Sequence, residues 1–122
     1  MAKRILVVDD DESILEVVQI VLESEGYEVQ TATNSSFLQQ LASQPVRPDL
    51  ILLDVLLSGE DGREISQQLK ADTQLQHIPV IMLSAHSEAS KMANIGGADA
   101  FLEKPFDVDV LLDTVQRYIS DN

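Results

Sequence analysis

Apolar positions along the chain fall into two alternating patterns. Strand-like runs at residues 5–8, 27–31, 50–53, 78–83 and 100–102 are separated by stretches with helical spacing. A continuous apolar run that ends in a polar residue marks a strand buried on both faces. Ile14, Val17, Val18 and Val21 follow i, i+3, i+4, i+7 spacing, which puts them on one helix face. Gly26 stands where that helix would end in a left-handed residue. A weaker helix is expected around Phe37, Leu38 and Leu41, capped by Asn34 or Ser35 and broken by Pro45 and Pro48. Gly59 and Gly62 mark a loop ahead of a third helix that carries Ile65 and Leu69. A poorly marked fourth helix is expected between Ser84 and Gly96-Gly97. The fifth is clear: Val108, Leu111, Leu112, Val115 and Ile119 share a face, with Asp107 at the N-cap.

Strands alternating with helices imply a parallel sheet covered on both faces. Right-handed crossovers leave few topologies, and the pattern predicts an α/β fold, a three-layer doubly wound sandwich. An eight-unit barrel would need about twice the chain. No repeat, low-complexity stretch or linker interrupts the 122 residues, so residues 1–122 are expected to form a single domain.

Charge narrows the function. The net charge is −13, from 21 acidic and 8 basic residues. Such a surface repels phosphate backbones and anionic membranes, which argues against direct nucleic-acid or membrane binding. It suits a cation or a basic partner surface, although a solvated acidic face would account for most of it. The chain has no cysteine, which excludes disulfides, thiolate catalysis and Cys-ligated zinc and fits a reducing compartment. The opening MAKRILVVDD reaches acids too soon for a signal-peptide core or a membrane span, so a cytoplasmic location is expected.

In open α/β sheets, ligands bind beyond the carboxyl ends of the strands. Asp9, Asp10 and Asp11 follow the first strand, Asp54 the third, Ser84 the fourth and Lys104 the fifth. Carboxylates from two strand ends can hold Mg²⁺, which takes oxygen ligands and keeps several waters. An Asp carboxylate can also be a nucleophile that forms an aspartyl phosphate. Phosphoryl transfer then needs positioning and charge neutralisation, which a metal, a Lys and a hydroxyl can supply. Each residue alone has an ordinary reading. An acid after a strand is a helix cap, a Lys-Pro is a turn, and a Ser after a strand is a cap. Their joint occurrence at four strand ends is far more specific. Asp11 is read as a helix cap, and His77, ahead of a strand, as a surface residue.

With these residues in place, ILVVDDDESI, LILLDVLLSGEDG, VIMLSA and FLEKPF together resemble the receiver domain of bacterial two-component response regulators, chemotaxis regulators included, over essentially the whole chain. The resemblance implies a flavodoxin-like (βα)₅ sandwich with strand order 2-1-3-4-5. It implies Asp54 as phosphoacceptor, with Mg²⁺ (or Mn²⁺ in its place) on Asp9, Asp10, Asp54 and the Leu56 backbone carbonyl. Lys104 and Ser84 would assist transfer, Ser84 and Phe101 would act as switch residues, and Pro105 would follow a cis peptide. The donor would be a sensor histidine kinase or a histidine phosphotransfer protein. Phosphorylation would reshape the face around the fourth helix and fifth strand for a downstream protein, in a monomer or a weak phosphorylation-dependent homodimer.

Departures from the family pattern are Leu57-Ser58 where many members have Met-Pro, and Phe101 where Tyr is common. Leu56 cannot bond a hydrolytic water, and it and His86 are expected to set the dephosphorylation rate. The chain would catalyse only its own phosphorylation and dephosphorylation. A natural start at Met1 and a polar end suggest a stand-alone receiver without an output module. Rival readings are an aspartate-nucleophile phosphatase, a phosphorylation-independent binding module of the same fold, and a flavin-binding domain. The phosphatase reading lacks the second Asp, because Leu56 stands at that position.

Overall fold

The computed structural model describes residues 2–57, 59–85 and 97–119. Five parallel strands form its central sheet: β1 (Arg4–Val8), β2 (Glu28–Ala32), β3 (Leu50–Asp54), β6 (Val80–Ala85) and β7 (Ala100–Lys104). Their order is β2-β1-β3-β6-β7, so the sheet strands taken alone run 2-1-3-4-5. Two short strands, β4 (Leu56–Leu57) and β5 (Glu60–Asp61), pair antiparallel as a hairpin directly after β3.

Because successive side chains of a strand point to opposite faces, each apolar run feeds two cores. Leu6, Val8, Ile51, Leu53, Val80 and Met82 pack in one layer with α2 (Ser36–Gln39), the 3₁₀ turn Leu41–Ser43 and α3 (Gly62–Ala71), through Leu38, Leu41, Ile65 and Leu69. Ile5, Val7, Leu50, Leu52, Ile81 and Leu83 pack in the other with α1 (Glu12–Ser24) and α4 (Val108–Tyr118), through Leu15, Val18, Leu22, Leu111 and Val115. This is the expected three-layer sandwich. Every residue of β3 is buried, as its unbroken apolar run requires of a central strand.

Helix termini agree with the sequence in part. Asp11 caps α1, its side chain accepting from the Ser13 and Ile14 amides. The helix ends in a Schellman turn: Gly26 has φ +92°, its amide donates to Glu23 and that of Tyr27 to Leu22. Asp107 occupies the N-cap of α4, but its backbone carbonyl, and no side-chain bond, meets the helix.

Several expectations need correction. Ile78 precedes the fourth sheet strand, because its amide closes a turn onto Leu75 and pairing with β3 begins at the Pro79 carbonyl. Ser84 consequently lies inside β6, and Lys104 is the last residue of β7. The second helix is a single turn followed by a 3₁₀ turn that takes Leu41. Ser35 makes no side-chain cap there, while Asn34 accepts from the Ser36 amide. Gly62 is not in a loop but is the first residue of α3, and Asp61, unremarked in the sequence, is its N-cap. The expected fourth helix and Gly96 lie outside the described residues.

Gly62 is required for a reason that no turn rule supplies. Its amide donates to the Val55 carbonyl at 2.7 Å, and a Cβ there would sit 2.1 Å from the Asp54 carbonyl oxygen. Alanine normally favours a helix by about 1 kcal/mol over glycine. Here backbone must move to admit it, so Gly62→Ala should destabilise by about 2 kcal/mol in urea unfolding. Gly26→Ala meets open space and should cost only the left-handed backbone, about 1 kcal/mol.

Candidate functional site

The carboxyl ends of β1, β3 and β7 converge. Val8 pairs in register with Leu53, so the next residues, Asp9 and Asp54, stand side by side as the two central strands end. Asp9 is 0% exposed, its amide donating to Ala32 and its Oδ1 accepting from the Asp11 amide at 2.9 Å. Asp54 is 6% exposed, and its Oδ1 accepts from the Leu56 amide at 3.3 Å. Asp10 is exposed at the rim. One carboxylate oxygen from each of Asp9, Asp10 and Asp54 lies within 4.8 Å of the others. Lys104 reaches in from β7, with Nζ 2.8 Å from Asp9 Oδ2 and 3.4 Å from Asp54 Oδ2.

The electrostatics follow from burial. Loss of hydration raises the Asp54 carboxyl from 3.8 to about 6, and the Asp9 charge pushes the same way. The Lys104 ammonium and the Leu56 amide oppose them. For Lys104, burial favours the neutral amine. The hydrogen bond to Asp9 and the charges of Asp54 and Asp9 outweigh that, and its pKa is raised. Lys104 is therefore cationic, and Asp54 is mostly ionised at neutral pH.

Three carboxylates at such separations, two of them buried, fit a hard divalent cation. Their donor set is all oxygen, and Lys104 supplies only one positive charge against them. The carbonyl of Leu56 lies on β4, two residues beyond Asp54, and the Leu56 side chain is 63% exposed and turned from the core.

The other expected residues are placed as follows. Ser84 is 1% exposed on β6, one rung beyond the Asp54–Leu83 pair. Phe101 lies deeper, paired in register with Met82 and half-buried against the core layer of α2 and α3. The Lys104–Pro105 peptide is cis. Asp11 is engaged in capping α1. His77 is exposed, as expected, and His86 falls outside the described residues. Two contacts of the loop after Asp54 were invisible in the sequence. Asp61 caps α3 while pairing with Arg63, whose hydrogen bond holds the Asp61 carboxyl below its usual range. Glu60 bonds Ser35 across a gap of 25 residues.

A doubly wound sheet with buried aspartates at its central strand ends and a lysine reaching across them defines a class of aspartate-based signalling receivers. The family model for the response regulator receiver domain matches residues 5–116. The chain belongs to that family. It is 34% identical over 123 residues to the polar-differentiation response regulator DivK of Brucella anthropi, covering 99% of both chains. It is 44% identical over 118 residues to the DNA-binding dual master transcriptional regulator RpaA of Synechocystis, covering 95% of this chain and 48% of that protein. It thus spans about half the length of that relative. The structure of the chemotaxis protein CheY4 of Vibrio cholerae superimposes with a TM-score of 0.84 at 32% identity, covering 98% of this chain and 100% of that one. Among the described residues, no helix is long and apolar enough to cross a membrane.

The raised Asp54 pKa has a signed consequence for stability. The native carboxyl holds its proton up to about pH 6, whereas the unfolded one loses it near 3.8. Stability is therefore lost as pH rises through this window. In metal-free buffer, the stability of Asp54→Asn minus that of the parent should grow by about 1–3 kcal/mol between pH 4 and pH 7, measured by urea unfolding at each pH. A flat difference would mean that the carboxyl is not desolvated.

Proposed function

We propose that this receiver is a phosphoacceptor, with Asp54 taking a phosphoryl group from a phosphohistidine on a sensor histidine kinase or a histidine phosphotransfer protein. The observation that carries the reading is the placement of Asp54: a nearly buried carboxylate at a strand end, inside a cluster with Asp9 and Asp10 and 3.4 Å from the Lys104 ammonium.

In this reading Asp54 attacks phosphorus as a carboxylate, which its ionisation near pH 6 makes available at neutral pH. The new Asp54 O–P bond forms as the P–N bond of phosphohistidine breaks. The electron pair stays on the donor imidazole, which then takes up a proton. Lys104 moves part of its ion pairing from Asp9 and Asp54 to a phosphoryl oxygen, and the Ser84 hydroxyl donates to another. Asp9, Asp10, Asp54 and the Leu56 carbonyl would hold Mg²⁺, or Mn²⁺ in its place. When bound, the ion supplies neutralisation of the phosphoryl charge. Seating the phosphoryl draws Ser84 toward it and Phe101 inward from the surface of β7. Population then shifts toward a state that docks a downstream protein on the face around β7.

A protein donor is favoured by a cleft of about 340 Å³ beside the site, lined by Ile14, Val17, Val18, Pro105 and Phe106. Val17 and Ile20 remain more than half exposed along α1 next to it. Turnover as a phosphatase is disfavoured because the Leu56 side chain offers no proton at the position an acid would need.

Incubation with acetyl phosphate and Mg²⁺ followed by intact-mass measurement should add one acid-stable, base-labile phosphoryl group. Asp54→Ala should add none, and omission of magnesium should abolish the adduct in the parent. Lys104→Ala should slow its formation on the order of 10²-fold. Absence of an adduct in the parent at saturating donor would favour a binding module of receiver shape.

A further inference from the structure

The hairpin that follows the acceptor is tied at its far side to a distant part of the chain. Ser35, 2% exposed, stands at the junction of β2 and α2. Its hydroxyl donates to Glu60 Oε2 and its amide to Glu60 Oε1 at 3.3 Å. Glu60 is on β5 and pairs in register with Leu57, while its neighbour Asp61 pairs with Leu56. The Leu56 amide in turn bonds Asp54 Oδ1. On the other side, the Asp9 amide is held by the Ala32 carbonyl at the end of β2, three residues before Ser35.

The contacts close a circuit around the candidate metal site. It runs from Asp9 to Ala32, along the backbone to Ser35, across to Glu60, through the hairpin to Leu56, and back to Asp54. Sheet pairing holds β1 against β3 only as far as Val8 and Leu53. Beyond those rungs Asp54 and Val55 stay paired with Leu83 of β6, and the hairpin past them is held toward Asp9 by loop contacts. Gly62 anchors the loop on the α3 side through Val55, and Glu60 anchors it on the α2 side. A carboxylate that accepts from both a hydroxyl and an amide of one buried residue is a directional clamp, since the two bonds fix distance and tilt together.

We infer that Glu60 is a positioning residue for phosphoryl transfer, holding the acceptor loop in register with Asp9 through its bonds to Ser35. This rests on the phosphoacceptor reading of Asp54. Glu60 touches neither Asp54 nor Lys104 in any contact described above. It acts through the hairpin that presents Leu56, so its loss misplaces the loop amide and carbonyl without removing a reacting group.

The test compares Glu60→Ala, Glu60→Gln, Ser35→Ala and the Ser35→Ala/Glu60→Ala pair with the parent. Initial rates of adduct formation are measured against acetyl phosphate concentration at saturating Mg²⁺, and urea unfolding and the Leu56 amide shift are followed in parallel. Positioning predicts a maximal rate lowered roughly tenfold in Glu60→Ala, with the donor concentration at half-maximal rate unchanged. Ser35→Ala loses the hydroxyl bond but keeps the amide bond to Glu60, so it should fall between Glu60→Ala and the parent, and the double variant should be no slower than Glu60→Ala, because both bonds need the Glu60 carboxylate. Glu60→Gln keeps one acceptor oxygen and should recover most of the rate. If Glu60 acted by charge on the cation, Gln would fail as badly as Ala.

A merely structural clamp would lower the unfolding midpoint while leaving the rate per folded molecule and the Leu56 shift unchanged, which would overturn the inference. Should Glu60→Ala not fold, the Gln variant and the Ser35→Ala rate decide by the same criteria. Adduct formation in the parent with equal rates in all variants would overturn the positioning role alone. No adduct in the parent would remove both it and the phosphoacceptor reading.

Discussion

Two carboxylates that the sheet forces together, and the Lys104 ammonium that reaches them, are the constraint on which the upper end of this molecule depends. Asp9 and Asp54 follow paired rungs of adjacent central strands, so the register that buries Val8 against Leu53 also brings two acids out of water side by side. At a separation of about 4 Å, two charges interact by about 4 kcal/mol in a partly screened protein environment, too much to leave uncompensated. Lys104 relieves part of it, at 2.8 Å from one and 3.4 Å from the other, while burial, with the Asp9 charge adding to it, raises the Asp54 pKa. An acidic, all-oxygen cluster of this kind suits a hard cation.

The scaffold supplies rigidity and the loops supply placement. Four strands of the sheet, β1, β3, β6 and β7, bring the chain to one edge in fixed order, each leaving a candidate site residue at, near or just past its end. Past that edge the backbone is held by a few hydrogen bonds, among them Asp11 on Asp9, Gly62 on Val55 and the pair between Ser35 and Glu60. Such contacts can yield to a change of charge at the site, whereas the apolar layers beneath cannot rearrange without opening the core. The phosphoacceptor role proposed for Asp54 would be served by this division between a stiff sheet and a tethered rim.

Much of this was legible in the chain. Periodicity located every strand of the sheet to within about two residues, and the acids, hydroxyl and lysine at strand ends pointed to one site. Asp11 was read as a cap, and it is one. Gly26 was read as a left-handed stop, and it is one. Both depend only on near neighbours along the chain. The misreadings have a common cause. Gly62 looked like loop punctuation, yet it opens α3 as glycine because the Asp54 carbonyl passes within reach of its missing side chain. Ser35 looked like a helix cap, yet its hydroxyl is taken by Glu60, which is distant in sequence. Strand order came from family resemblance, not from periodicity, because pairing between strands leaves no local trace.

What the amino-acid sequence determined by itself was therefore the set of elements, the burial of the strands and the kinds of group carried to their ends. Apolar spacing and capping act over a few residues and can be read along a line. Tertiary structure alone decided that Asp9 and Asp54 share one ammonium, that Asp54 resists ionisation, and that Glu60 and Gly62 hold its loop from two sides. These depend on separations of a few ångströms between residues far apart in the chain, and only the packed sheet sets such separations.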